Sequence, residues 1–174
     1  HAVGHGGIDL AQRRGTEIRL VALEHQVGDA DVLVVGEVFG NSVVTRHSVR
    51  EGGKLREYIV IFGHLEGPAP GLAPGMNLRE GALVGFVGDS GAPGDVHLHL
   101  EVRRVREGVN VKTLAPGELS KNARTVVCDP RNVLGRTQSS TTHAASLRPM
   151  PVPPSECAAA RGPGPVRSGT PRRG

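Results

Sequence analysis

A chain of 174 residues with 22% charged side chains, 25 glycines, three Phe, one Tyr and no Trp has room for one packed core, built mostly from Val, Leu and Ile. No stretch approaches the ~20 apolar residues that a membrane-spanning helix requires. The net charge of +4 belongs to the end of the chain. After Thr137, five arginines (Arg148, Arg161, Arg167, Arg172 and Arg173) stand against Glu156. That leaves sixteen bases and sixteen acids in 1–136, so the basic character is a property of the tail and not of the folded part.

Gly15-Thr16 opens a first strand from Glu17 to Leu23. Two β-branched runs, 32–38 and 42–47, flank the turn signal Gly40-Asn41 and predict a hairpin. Residues 50–54 read as a loop, and Glu57 to Phe62 as the next strand, which delivers His64 at its far end. The Pro- and Gly-rich stretch 67–75 predicts an irregular surface loop. Strand character resumes over 78–88, a turn follows at 89–95, and 96–105 forms the strand that carries His97 and His99. Residues 110–114 and 126–127 are further strand candidates. Asp129 to Leu134 reads as a closing turn or short helical cap. With no helical periodicity and no internal repeat, the fold class is all-β: a compact antiparallel sheet or barrel-like domain with long loops forming a groove. Beyond Thr137 the text is rich in Pro, Arg and Ser, with seven of the thirteen prolines. It predicts a disordered tail over 137–174 and a folded domain over 1–136.

Cys128 and Cys157 are the only cysteines. A bridge between them would tie the tail to the domain, which an oxidising compartment permits but does not demand. Without a C-x-x-C pair, a structural cysteine–zinc site is excluded. The sequence starts with His1 rather than Met, so it is read as a processed form or a fragment whose targeting segment lay upstream.

Two histidine motifs carry the chemistry. Side chains alternate across a strand, so His97 and His99 share one face while Val96, Leu98 and Leu100 take the other. His5 and Asp9 are separated by Gly6-Gly7, which disfavours a helix and favours an extended or looped segment curling around an ion. His64 lies between the two motifs. Any one of these is commonly an ordinary surface or core histidine. Together they supply four imidazoles and a carboxylate, and three neutral N/O ligands with an open position make a catalytic zinc site. The remaining histidines are then candidates for proton handling and charge stabilisation. His25, His47 and His143 fit no such constellation and are read as surface residues.

The ordered set His5-Gly6-Gly7-Ile8-Asp9, Phe62-Gly63-His64-Leu65, Gly85-Phe86-Val87-Gly88-Asp89-Ser90-Gly91 and His97-Leu98-His99-Leu100-Glu101 resembles the lysostaphin- and LytM-type peptidoglycan endopeptidases over roughly residues 1–134. Gly40-Asn41 with the following valines and His47 is similar to that family's central hairpin, and Asp129-Pro130 to its closing turn. The resemblance implies one zinc held by His5, Asp9 and His99, with His64 and His97 as catalytic histidines that do not bind the metal. It implies hydrolysis of a peptide bond in the stem or cross-bridge of bacterial peptidoglycan. Family members carry further strands before the first motif, which here begins four residues in, so those strands are expected to be missing from this sequence. Phe62 stands where the family more often has Tyr.

The expected protein is an extracellular, cell-envelope or periplasmic monomer acting on peptidoglycan peptide, with no specific nucleic-acid partner. Its basic tail is available to anionic wall polymers or a membrane surface. The alternative is a non-catalytic wall-binding or amidase-activator module of the same fold. A cupin-like metal site using Glu101, two positions beyond His99, is a further reading that would not need Asp9.

Overall fold

The computed structural model describes residues 6–135. His5, His143, Cys157 and the whole of 137–174 lie outside the described residues, as do the expectations made of them. No helix among the described residues is long and apolar enough to cross a membrane.

Among the described residues ten strands follow one another: β1 (Ile8–Leu10), β2 (Glu17–Arg19), β3 (Ala30–Glu37), β4 (Asn41–Glu51), β5 (Lys54–Gly63), β6 (Leu65–Pro68), β7 (Asn77–Leu78), β8 (Leu83–Val87), β9 (Leu98–Val105) and β10 (Thr125–Cys128). Two 3-10 turns, Val111–Thr113 and Pro116–Glu118, precede β10, and a single helical turn, α1 (Pro130–Val133), closes the described chain. The main sheet runs β1-β9-β5-β4-β3-β7, with β10 also on β9, and a smaller sheet runs β2-β8-β6. Every pairing is antiparallel. The all-β reading holds.

The central strands are buried on both faces, which explains the unbroken apolar run from Tyr58 to Phe62. Tyr58, Val60 and Phe62 pack with Val43, Leu100 and Val102 against Ile18, Leu65, Val84 and Val87 of the smaller sheet. Ile59 and Ile61 face the other way, with Val44 and Val105, beneath Val111 and Leu119. Each fully buried aliphatic side chain of this kind contributes about 1.5–3 kcal/mol.

Several local expectations are corrected. The loop read over 50–54 shrinks to Gly52-Gly53, with φ of +53° and +82°, between Glu51 and Lys54, which pair across the hairpin. A two-residue turn with both φ positive matches the strand twist, so β4 and β5 extend to meet it. The strand read over 110–114 is a 3-10 turn. Asn110 Oδ1 accepts from Lys112 N at 3.1 Å and its carbonyl accepts from Thr113 Oγ1 at 2.8 Å, so a polar cap overrides the apolar pattern. The strand read over 17–23 ends at Arg19, with Leu23 left as an isolated bridge to Leu134. His47, read as a surface residue, is fully buried, with Nδ1–H donating to Gln26 Oε1 at 2.7 Å and Nε2 accepting from Thr45 Oγ1 at 2.7 Å. Cys128 is buried.

Candidate active site

Strand register brings the two histidine motifs together. β1 lies along the start of β9, with Ile8 opposite Leu100 and Asp9 opposite His99. On the other side of β9, Gly63 at the end of β5 pairs with His99, so His64 emerges beside it. Asp9 Oδ1 lies 3.0 Å from His99 Nδ1 and 3.6 Å from His97 Nε2. The His64 ring is centred 4.7 Å from that of His97 and 5.8 Å from that of His99. Phe39, from the β3–β4 turn, covers His99 at 4.7 Å between ring centres. Asp9, His64, His97 and His99 thus converge as the sequence predicts. His5, the remaining predicted ligand, lies outside the described residues.

His97 and His64 are each held by one ring nitrogen, and His99 is bonded at both. His97 Nδ1–H donates to the Asp95 carbonyl at 2.8 Å, and its buried Nε2 makes no hydrogen bond. His64 Nδ1–H donates to the Ser90 carbonyl at 2.7 Å. Its backbone is left-handed, φ 57°, a conformation that costs a non-glycine residue roughly 1 kcal/mol and that is held here by a 2.7 Å bond from its N–H to the Phe39 carbonyl. Ser90 Oγ ties the neighbourhood together, donating to the Leu65 carbonyl at 2.6 Å and accepting from Asn41 N at 2.9 Å. Gly40 has φ +59°, and a Cβ there would run into the Ser90 carbonyl, so only glycine lets the hairpin turn close onto the Ser90 loop. His99 Nε2 lies 3.2 Å from Glu101 Oε2, and Glu101 is ion-paired with Arg103.

Burial, with the neighbouring rings of His97 and His99, holds the His64 pKa below the usual histidine value despite its bond to Ser90. Burial also lowers that of His99, but hydrogen bonds to Glu101 and Asp9 outweigh it and the net shift is upward. The pocket around His99 therefore favours a positive charge. Among the described residues, no three His, Cys, Asp or Glu side chains come close enough to hold a metal ion between them. Asp9 and His99 offer two donors facing each other, two of the three that a zinc site of this kind requires. The carboxylate–imidazole chemistry and the local preference for positive charge both fit zinc.

Sequence reasoning assigned no role to Phe39, Ser90 or Arg103 in this site, and considered Glu101 only as a ligand in the cupin-like reading. Ser90 and Glu101 stood inside recognised motifs. Arg103 was findable from the two-residue period His97, His99, Glu101, Arg103 along β9, which puts charged groups on a face that apolar neighbours bury.

Fold and side chains together define an antiparallel β protein organised around a histidine–carboxylate centre. Its sequence matches the model described as peptidase family M23 over residues 3–112. It is 30% identical over 152 residues to the DD-carboxypeptidase/endopeptidase Mpg of Neisseria meningitidis serogroup B and, to the same extent, to that of Neisseria gonorrhoeae. The match covers 85% of this chain but only 30% of the length of those curated relatives. Among solved structures, lysostaphin from Staphylococcus simulans shares the fold, with 15% identity and a TM-score of 0.50 over 86% of this chain and 49% of lysostaphin. The chain belongs to peptidase family M23, the lysostaphin/LytM-type fold.

Proposed function

We propose that this chain is a zinc-dependent endopeptidase domain that hydrolyses peptide bonds in bacterial peptidoglycan. The observation that carries the reading is the convergence of Asp9, His64, His97 and His99 from three strands onto one centre, in a chain of family M23. Relatives named as DD-carboxypeptidase/endopeptidase support the substrate class. We assign zinc to His5, Asp9 and His99. When bound, zinc lowers the pKa of water and polarises a carbonyl.

The chain's own residues supply the rest. His97, anchored through Nδ1, presents Nε2 as a lone-pair nitrogen beside Asp9, where it accepts a proton from the attacking water. His64, anchored through Nδ1 at Ser90, likewise keeps its lone pair on Nε2. Its lowered pKa keeps it neutral near pH 7, so it is placed to accept a hydrogen bond from the attacking water and orient it. These two roles are interchangeable between the pair on this geometry. A shallow groove of about 260 Å³, whose lining includes Gly36, Asn41, Gly67 and Pro68, adjoins Ser90 through the Asn41 bond. Its small residues suit an extended, unbulky peptide. The substrate implies an extracellular or envelope location.

The test is zinc content of the purified chain together with release of soluble fragments from purified peptidoglycan, with and without a chelator. One zinc per chain and chelator-sensitive release of new amino termini is the expected result. Zinc without hydrolysis would point to a wall-binding or amidase-activator module, and a chain that takes up no zinc would overturn the metal assignment.

A further inference from the structure

We infer that Glu101 is a positioning residue of the proposed metal centre: held by Arg103, its carboxylate takes the Nε2–H of His99 and so reserves the Nδ1 lone pair for the metal that His99 would share with Asp9. This rests on the zinc reading above. It begins with a ladder along β9, in which His99, Glu101 and Arg103 occupy alternate positions on one face, with exposures of 1%, 1% and 3%. Buried charges are costly unless their polar atoms find partners, and here each has one. Arg103 donates from Nη1 to Glu101 Oε1, from Nε to Thr125 Oγ1 at 2.6 Å, and from Nη2 to Asn122 Oδ1 at 2.7 Å and the Thr125 carbonyl at 3.2 Å. Thr125 is fixed in turn by donating to the Leu119 carbonyl at 2.6 Å. The guanidinium is thus clamped from β10 and the turn before it, and it clamps Glu101.

That leaves Oε2 of Glu101 for His99 Nε2, at 3.2 Å. The other ring nitrogen, Nδ1, lies 3.0 Å from Asp9 Oδ1, so His99 stands between two carboxylates. A neutral imidazole has one N–H and one lone pair; with a metal shared by Nδ1 and Asp9, the N–H belongs on Nε2, where Glu101 accepts it. Both oxygens of Glu101 are then in use, which makes it a support rather than a ligand. The segment that delivers Asp9 is cut to fit the same ladder. A Cβ on Gly6 would overlap Glu101 Oε1 and stand 3.2 Å from Arg103 Nη1, and one on Gly7 would stand 3.1 Å from His99 Cε1. The paired glycines of the first motif therefore let β1 run directly over the carboxylate.

The alternative is a salt bridge that merely stabilises the sheet, and two readouts separate them in the full chain. Zinc affinity is measured by competition with a chromophoric chelator for wild type, Glu101→Gln and Gly6→Ala, with folding checked by circular dichroism. Histidine ¹⁵N shifts are recorded for the zinc-loaded wild type. Folded variants that bind zinc roughly 10–100-fold more weakly, and a His99 protonated on Nε2, are expected. A folded Glu101→Gln chain with wild-type zinc affinity, or a His99 protonated on Nδ1, would overturn the inference while leaving the zinc reading intact. If Glu101→Gln does not fold, the wild-type tautomer decides. A wild-type chain that binds no zinc ends both.

Discussion

At the scale of single residues, the proposed site divides labour within each imidazole: one nitrogen anchors the ring, the other faces the metal or the reacting water. His64 hangs from Ser90, His97 from Asp95 and His99 from Glu101. This separates the consequences of mutation. Asp9→Ala and His99→Ala are expected to abolish zinc binding, measured by metal content after dialysis. His64→Ala and His97→Ala should keep the metal and lose about 10²–10⁴-fold in kcat; a His97→Ala chain without zinc would mean that the roles are wrongly divided. Ser90→Ala removes the hydroxyl bridge between Asn41 and Leu65 but spares the carbonyl that holds His64. Its expected cost is about 1 kcal/mol of stability and a kcat lowered several-fold at unchanged zinc content, checked by denaturant melts and steady-state rates.

Among the elements, the β3–β4 hairpin does most to hold the site, because its turn carries Phe39 onto His99 and closes against the Ser90 loop. Gly40→Ala adds a collision with Ser90 to the strain of φ +59°, whereas Gly108→Ala, at φ +77°, meets only open space. Backbone strain alone costs about 1 kcal/mol. Gly108→Ala should therefore lose about that much with full activity, and Gly40→Ala should lose more and forfeit most turnover; equal midpoints and rates for the two would refute this account of the turn. Hairpins of this kind were legible in the sequence because alternation and turn chemistry are local signals. The pairing of His97 with His99 was legible for the same reason. What was hidden depends on contacts between distant segments. His47 reads as surface until Gln26 and Thr45 close around it, and Arg103 reads as a solvated charge until β10 brings Thr125 to its guanidinium. The 3-10 turn at Val111 was hidden by a competition that apolar periodicity does not register, between Asn110 capping and strand propensity.

For the whole molecule, burial of His47 makes stability depend on pH. Burial lowers its pKa from 6.5 to about 4, against a small opposing effect of Asp31. Unfolding exposes a histidine that binds a proton below pH 6.5, while the folded one stays neutral until about pH 4. The stability it protects is thus complete above the unfolded value and is lost progressively as the pH falls through that window, by up to about 3 kcal/mol. Urea unfolding of the chelator-treated chain at pH 7.5 and pH 5 should show this loss, and His47→Gln should flatten it; an unchanged slope in the variant would assign the effect elsewhere. The three-residue β1 has a different consequence. It is a short strand whose Asp9 meets His99 from 90 positions away, so an ion shared by the two closes a loop of that length. Such a bridge is a reversible cross-link, comparable in entropic effect to a disulfide across a similar span, about 4–5 kcal/mol. Thermal midpoints should then climb with free zinc as mass action requires, and amide exchange at residues 8–10 should slow in step. Metal supply would govern how long the first strand stays docked, and so the lifetime of the chain among proteases as well as its rate.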